Sequence, residues 1–290
     1  MNESVASPSV LAAVQQPLNA SAIPRLSRAE VIPLAREELA RFLALLESLA
    51  PDDWTQPTEC VLWSVKDIVA HQGSHVLALT HYRELLNQFN PRNLRDYTRQ
   101  GMNSLDAANQ RQVDRRAAWT PAQLIAEMRD HSEASFSGRQ RLPFLLRQMR
   151  VGAPGFEGRV SLGELIDNIF TRDMWMHRLD ICHATGRDMV QTGEHDGRIT
   201  ALAVRDLDRH LTKKLKGRSV VYRLNGRAGG EWIAGGSSTP AAAISLDVLD
   251  FHRLASERIS GQQALDQGLV TIEGDQALGR LAVQHTMVLY

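Results

Sequence analysis

The chain is poor in several features that would indicate particular classes of protein. Only two of its 290 residues are cysteines, too few for a disulfide framework and without the spacing of zinc-binding cysteines. We interpret Cys60 and Cys182 as structural thiols and expect a cytoplasmic protein. Lysine and arginine number 33, and so do aspartate and glutamate, so the net charge favours neither nucleic acid nor a membrane surface as a partner. No apolar run approaches the length of about 18 residues that a transmembrane helix needs.

Residues 1–28 also lack the basic start and long apolar core of a secretory signal. They are rich in serine, alanine, proline and asparagine, a composition that disfavours a packed core. We predict a disordered tail over residues 1–28.

Residues 29–190 show the apolar spacing of long helices. Ser27 and Glu30 can form a capping box before the first helix, and Pro121 suits the first position of another. The long helices are predicted over residues 27–49, 64–88, 120–140 and 161–185, the last ended by Gly186. Four long helices joined by loops predict an α domain built as a four-helix bundle.

Residues 195–290 have a different pattern, in which short segments typical of strands alternate with helices. Strands are predicted at 219–224, 231–233, 243–246 and 270–272, and Asp247 and Asp275 are placed to cap helices. The glycine-rich segment 226–230 opens no helix, so we interpret it as a hairpin turn rather than a phosphate loop. The sequence thus predicts a small α+β C-terminal domain, with the boundary at residues 187–193.

The most informative pair of residues is Asp173 and His177 on the fourth long helix. They are four residues apart and project from the same face, so their side chains can hold two corners of a divalent metal site. His71 on the second long helix is the best candidate for a third ligand. Three protein ligands with an open position are typical of catalytic zinc. The same spacing also arises by chance, with Asp173 paired to a neighbouring arginine.

His75 lies one turn after His71 on the same helical face. It is a candidate for supporting the ligands or replacing one of them, and the alternative is a histidine at the polar edge of the helix. Trp63 and Trp175 are interpreted as core residues. Six other histidines, which no motif in the sequence joins to further ligand residues, are interpreted as surface or capping residues: His81, His131, His195, His210, His252 and His285.

Several further segments occur in a fixed order along the chain. They are Asp52-Asp53-Trp54, Pro57-Thr58-Glu59-Cys60, Trp63-x-Val65-x-Asp67-Ile68-x-Ala70-His71, Asp106-Ala107-Ala108-Asn109 before Thr120-Pro121, and His177-Arg178-Leu179-Asp180-Ile181-x-x-Ala184-Thr185-Gly186-Arg187. Together they closely resemble the mycothiol-dependent maleylpyruvate isomerase family. The resemblance covers residues 30–187 well and the remainder more loosely.

This resemblance implies a DinB-like four-helix metal-binding domain followed by a sterol-carrier-protein-like α+β domain. It also implies a divalent metal, usually zinc, held at positions that fall here on His71, Asp173 and His177. The chain has aspartate where the family usually has glutamate. The shorter side chain retracts the carboxylate, whereas metal–ligand distances tolerate only about 0.2 Å.

The resemblance further implies an isomerase or thiol S-transferase whose cofactor is a low-molecular-weight thiol such as mycothiol. In the family's founding reaction the thiol adds to the double bond of maleylpyruvate, and rotation followed by loss of the thiol gives fumarylpyruvate. Zinc suits this chemistry because it keeps the thiol as the nucleophilic thiolate. Small acidic or unsaturated substrates need a cation for their carboxylates. Arg253 and Arg258 are the candidates, and exposed helix arginines are the alternative interpretation of both.

Two other functions stay open. A non-catalytic member of the superfamily would bind a metal or a small apolar ligand, and the aspartate at position 173 favours this alternative. A metal-dependent hydrolase would use the same site to activate water and would turn over without any thiol.

Overall fold

The computed structural model describes residues 17–152 and 158–290. Its helices are α1 Arg28–Glu47, α2 Val65–Ala78, α3 Tyr82–Gln88, α4 Pro91–Arg99, α5 Ser104–Asp114, α6 Pro121–Arg141, α7 Phe144–Gln148, α8 Leu162–Glu164, α9 Phe170–Ala184, α10 Asp196–Lys214, α11 Val248–Ala255, α12 Gly261–Asp266 and α13 Gln276–Gln284. The strands are β1 Leu18–Asn19, β2 Arg150–Gly152, β3 Arg159–Ser161, β4 Ser219–Asn225, β5 Gly230–Gly235, β6 Ala242–Asp247 and β7 Thr271–Gly274. Among the described residues no helix is long and apolar enough to cross a membrane.

The predicted combination of a helical domain and an α+β part is confirmed. In the helical domain, α2 packs against α6 and α9, and α1 packs against the same two helices. Their shared core includes Phe42, Ile68, Leu124 and Met128, all fully buried. The predicted capping box of Ser27 and Glu30 is present at the start of α1.

The prediction of one continuous helix over residues 64–88 is wrong, although both ends of this segment are helical. The segment is broken into α2 and α3, and the His81 side chain caps α3 by accepting a hydrogen bond from the Arg83 amide at 3.1 Å. Gly138 of α6 lies so close to the break that a Cβ atom there would be 1.8 Å from the Leu79 carbonyl oxygen. The close approach of α6 therefore accompanies the end of α2, and α3 turns away to form one wall of a cavity described below.

The helix predicted over residues 161–185 is confirmed, with one internal irregularity. The Ser161 side chain caps α8 by accepting from the Glu164 amide. A π-helical turn, Leu165–Ile169, then joins α8 to α9. The helix ends where Gly186 adopts a left-handed backbone with φ +65°, a conformation that glycine adopts without steric cost. π-helical turns often occur near functional sites, and this one ends four residues before Asp173.

The α+β part is a five-stranded sheet of order β1-β5-β4-β6-β7 covered by helices. Strands β4 and β5 form the predicted antiparallel hairpin, and β6 runs parallel to β4. Helix α10 packs against β5. The core between sheet and helices contains Tyr222, Phe251 and Leu207, all fully buried.

The disordered tail predicted over residues 1–28 is wrong for its second half. Residues 1–16 lie outside the described residues, but Leu18 and Asn19 form β1, which pairs with β5 of the α+β part. Ala20 and Ile23 are buried in the core of that part. Pairing with a strand more than 200 residues away is a tertiary contact, and local composition does not report it.

A buried network of charged side chains joins α1, α9 and the start of α10. Glu38 accepts hydrogen bonds from Arg178 at 2.9 and 3.1 Å and lies 2.7 Å from Nε2 of His195. Arg178 also donates to Asp196 at 2.6 Å. His195, interpreted as a surface or capping residue, stands at the N-cap position of α10, but its side chain is buried and bonds to Glu38 rather than to the helix. Trp175 donates to Asp196 at 2.8 Å and is a core residue, as predicted.

Candidate metal centre

Helices α2 and α9 bring three histidines around one aspartate. His71 and His75 come from successive turns of α2, and Asp173 and His177 come from successive turns of α9. The three imidazoles are more than nine-tenths buried. Residues predicted from two distant segments of the sequence are thus brought together at one place.

Each histidine presents one ring nitrogen to the Asp173 carboxylate. Nε2 of His71 and Nδ1 of His75 lie 3.4 and 3.3 Å from Oδ2, and Nε2 of His177 lies 3.4 Å from Oδ1. These separations are longer than an ordinary N–H···O hydrogen bond of about 2.9 Å. They match the separation of about 3.3 Å between two ligands that each lie about 2.0–2.1 Å from a tetrahedral zinc ion. The carboxylate of Asp173, although shorter than glutamate, reaches all three imidazoles.

His75 has a particular place in this cluster. Its Nδ1 atom is buried and has no hydrogen-bond partner within the described part of the chain. The ring is stacked on Phe170, with centroids 4.3 Å apart and an interplanar angle of 6°. A buried imidazole nitrogen without a partner is unfavourable, and a metal ion would satisfy it. His71, His75 and Asp173 each place a donor atom within 4.8 Å of the other two.

The far side of His71 is fixed by a chain of amides. Its Nδ1 donates to Oε1 of Gln112 at 2.8 Å, and Nε2 of Gln112 donates to Oε1 of Gln88 at 2.9 Å. Gln88 in turn donates to the Ser74 carbonyl and hydroxyl oxygens, both at 3.0 Å. This arrangement places the lone pair of His71 on Nε2, the atom that faces Asp173.

The far side of His177 is fixed by a carboxylate. Nδ1 of His177 donates to Asp180 at 2.9 Å, and Arg258 of the α+β part donates to the same carboxylate at 2.8 and 3.1 Å. Arg258 also lies 3.0 Å from Sγ of Cys60. A carboxylate behind a ligating histidine is the usual support for a metal site. Cys60, interpreted from the sequence only as a structural thiol, lies beside His177 and Asp180.

Burial and the neighbouring charges lower the pKa of some residues of the cluster and raise that of others. Burial and the neighbouring His75 lower the pKa of His71 to about 4. Burial disfavours the charged form of His177 too, but the Asp173 carboxylate and the hydrogen bond to Asp180 outweigh it and raise the pKa of His177 to about 10. Burial also opposes ionisation of Asp173, yet the charge of His177 and the nearby imidazole nitrogens of His71 and His75 hold the pKa of Asp173 well below its ordinary value.

Gln72 and Trp63 complete the surroundings of the cluster. Nε2 of Gln72 donates to Oδ2 of Asp173 at 2.6 Å and holds the carboxylate in place. Trp63, interpreted as a core residue, is half-buried and lies with its ring centroid 4.9 Å from that of His71 and 6.1 Å from that of His177. The supporting residues Gln72, Gln112 and Asp180 were not singled out from the sequence.

The two arginines proposed for substrate carboxylates are engaged with acidic side chains of the protein. Arg258 bonds to Asp180, as described, and Arg253 bonds to Glu59 at 2.6–3.2 Å and to Asp250 at 2.7 Å. Among the described residues, neither arginine lines the cavity that reaches the cluster.

That cavity has a volume of about 440 Å³, and His71, His75 and Asp173 are among the residues that line it. Its walls come from α3, α5, the β2–β3 hairpin and the start of α9. It gives a small molecule access to His71, His75 and Asp173, so the histidine and carboxylate groups can take part in chemistry rather than only in folding.

Comparison with known proteins supports the fold and identifies the family. Residues 35–182 match the family model described as the mycothiol maleylpyruvate isomerase N-terminal domain. No curated protein matches the chain. The crystal structure of the mycothiol-dependent maleylpyruvate isomerase aligns with a TM-score of 0.54 and 16% identity over 86% of this chain and 93% of that one. A mutant of the same isomerase aligns with a TM-score of 0.52 over the same shares. Because the family model spans just over half of the chain, the protein belongs to the mycothiol-dependent maleylpyruvate isomerase family.

Proposed function

We propose that this protein is a metal-dependent enzyme that uses a low-molecular-weight thiol, such as mycothiol, to isomerise or thiolate a small unsaturated acid. The observation that carries the proposal is the set of three imidazole nitrogens at 3.3–3.4 Å from the Asp173 carboxylate. Membership of the family supports the thiol-dependent chemistry. We also propose that α1, α2, α6 and α9 form a DinB-like four-helix bundle and that the α+β part is a sterol-carrier-protein-like domain.

The residues of the cluster fit a divalent metal, and zinc is our choice. Nitrogen and carboxylate donors at these separations suit tetrahedral zinc. His71, Asp173 and His177 are the proposed ligands, and the unpartnered Nδ1 of His75, 3.3 Å from the Asp173 carboxylate, is a fourth candidate donor atom. When bound, the ion would lower the pKa of a thiol and keep it as the thiolate.

The other residues of the site orient these ligands. Gln112 fixes the tautomer of His71, and Gln72 holds the Asp173 carboxylate. We assign Arg258 a positioning role, in which it fixes Asp180 and thereby His177. The cavity beside His75 and Asp173 would receive the substrate.

The test is metal content and thiol-dependent turnover, measured on the same protein preparations. Wild type should hold about one zinc per chain and should isomerise maleylpyruvate only when mycothiol is added. His177→Ala and Asp173→Asn should lose both metal and turnover. His183→Ala is the matched control, because His183 lies on the same helix and is exposed; it should keep both.

The variant His75→Ala tests whether His75 is a metal ligand or only lies next to the ligands. Loss of stoichiometric zinc would place His75 among the ligands, whereas retained zinc would leave His71, Asp173 and His177 as the complete set. Folded wild-type protein that takes up no divalent metal would overturn the proposal and favour a non-catalytic member of the family. Turnover that needs the metal but no thiol would favour a hydrolase.

A further inference from the structure

The cavity that reaches the metal cluster is mostly apolar. Its wall includes the apolar side chains of Leu85, Phe89, Leu105 and Phe170. His75 and Asp173 line the same cavity. A small dicarboxylate would leave most of this wall in contact with water and would lose its own hydration against apolar groups. A ligand with an apolar body would cover the wall instead. The volume of about 440 Å³ is within the range of small-molecule sites, about 300–1,000 Å³.

A second cavity, of about 430 Å³, adjoins the first and has the opposite character. Arg25, Arg209 and Lys213 are among its wall residues, and Arg150 and Arg159 belong to both cavities. Its acidic lining residues are Glu164 and Asp206, of which Glu164 accepts a hydrogen bond from Asn168 at 3.0 Å and Asp206 one from Arg172 at 2.9 Å. This second cavity is therefore suited to an anionic group.

The hairpin of β2 and β3 stands where the two cavities meet. Val151 pairs with Val160, while Arg150 pairs with Ser161 and Arg159 with Gly152. Since paired residues share a face and successive residues alternate, the two valines lie on one face and the two arginines lie together on the other. Within the described part of the chain, Arg150 and Arg159 form no ion pair. Two guanidinium groups at the join of an apolar and a basic cavity can hold the charged end of a ligand whose body lies inside.

We propose that the substrate of this site is an amphipathic anion. Its apolar body would occupy the cavity beside His75 and Asp173, and its carboxylate or phosphate would bind Arg150 and Arg159. That the anion is a substrate rests on the proposed function. That it binds here rests on the two cavities alone. It departs from a small dicarboxylate such as maleylpyruvate as the main substrate of this chain.

The test is calorimetric titration of the full-length, zinc-loaded protein with four probes: dodecanoate, dodecyl phosphate, dodecanol and maleate. The two dodecyl anions should bind at one molecule per chain, dodecanol about tenfold more weakly, and maleate more weakly still. The stronger of the two anions identifies carboxylate or phosphate as the preferred group. Arg159→Ala should lower the affinity for the anions about tenfold and leave dodecanol unchanged, whereas Arg92→Ala, an exposed arginine outside both cavities, should change neither.

A second pair of variants tests the apolar cavity. Leu86 lines it and is 50% exposed, so Leu86→Glu places a carboxylate in the wall without burying it fully. This variant should weaken all three dodecyl probes at least tenfold. Leu281→Glu, at a partly exposed leucine outside both cavities, should weaken none of them.

Equal or tighter binding of maleate, or dodecyl binding that Leu86→Glu does not weaken, would overturn the substrate class. Zinc content separates this failure from that of the proposed function. A protein that holds zinc and turns over maleylpyruvate but rejects the dodecyl anions refutes only the amphipathic substrate. A protein that binds dodecanoate at one site but takes up no zinc contradicts only the proposed enzymatic function.

Discussion

The guanidinium of Arg258 donates two hydrogen bonds to the carboxylate of Asp180, at 2.8 and 3.1 Å. Asp180 is fully buried, and Arg258 and His177 lie on either side of it. Burial opposes ionisation, but these two partners lower the pKa of Asp180 below its ordinary value, so the residue is a carboxylate when it supports His177. The second part of the chain thus contributes directly to the orientation of a proposed metal ligand on the first.

Replacing Arg258 should therefore weaken metal binding. We expect Arg258→Ala to lower zinc affinity about 10–100-fold, the usual effect of losing a residue that orients a ligand. It should also lower the free energy of unfolding by about 3–5 kcal/mol, because Asp180 is left as a buried charge with one partner fewer. Arg258→Lys should recover part of both. Competition with a chelator of known affinity measures the first effect and urea unfolding the second.

Arg253→Ala is the matched control for this prediction. Arg253 lies on the preceding helix, is similarly buried, and bonds to Glu59 and Asp250. It should lose stability without a change in zinc affinity. If both variants changed zinc affinity equally, the effect would be a general loosening of the fold rather than the orientation of His177.

Gln112→Leu should affect the other proposed histidine ligand. The variant keeps the side-chain size but removes the acceptor for Nδ1 of His71, so the imidazole loses its fixed tautomer. We expect zinc affinity to fall about 10–100-fold. Gln110→Leu on the same helix removes a hydrogen bond from Trp63 instead, at 3.2 Å, and should leave zinc affinity within about twofold of wild type. Unchanged affinity in Gln112→Leu would show that the amide does not support the site.

The metal cluster could be predicted from the sequence only where its members are local. Asp173 and His177 are a helical turn apart, so their common face follows from helix geometry. His71 could be named only as the best candidate for a third ligand, later supported by the resemblance to a family, because nothing local joins α2 to α9. Gln112 lies on α5, 41 residues after its partner, and no periodicity marks it. Asp180 is three residues after His177 and belongs to the same sequence motif. Its role nevertheless depends on Arg258, which lies in the second part of the chain.

The fold shows the same division between local and distant contacts. A capping box identified α1, a proline at the first helical position identified α6, and alternation identified the strands β4 to β6, because these signals are contained in a few residues. The pairing of β1 with β5 and the burial of His252 depend on residues far away in the sequence. His252, interpreted as a surface or capping residue, is fully buried and packs against Trp175 with ring centroids 4.2 Å apart.

Gly138→Ala tests the break between α2 and α3. The added Cβ would lie 1.8 Å from the Leu79 carbonyl oxygen, so α6 must move away or α2 must be distorted. Overpacking of this kind costs about 1–3 kcal/mol, which urea unfolding would measure. At Gly193 the nearest atom, the Arg227 carbonyl oxygen, is at an ordinary distance of 3.5 Å, so Gly193→Ala serves as the control. Equal stability of the two variants would contradict the close approach.

His252 should make the protein sensitive to acid independently of the metal cluster. Burial and the nearby charge of Arg172 lower the pKa of His252 to about 3, while its ring nitrogens bond to Thr200 and Tyr290. In the unfolded chain the pKa returns to about 6.5. Because the folded-state value is the lower one, the contribution of His252 to stability is complete above about pH 6.5 and is lost as the pH falls towards 3. In that window the loss is about 1.4 kcal/mol per pH unit.

His252→Gln removes this titration and keeps a hydrogen-bonding side chain. We expect its free energy of unfolding to fall less steeply than that of wild type between about pH 6 and 4, by about 1.4 kcal/mol per pH unit. Urea unfolding at half-unit intervals of pH, on protein treated with a chelator, measures the difference between the two slopes. His183→Gln, at an exposed histidine, should follow the wild-type curve. Parallel curves for wild type and His252→Gln would mean that the imidazole at position 252 gains a proton in the folded protein as readily as in the unfolded chain.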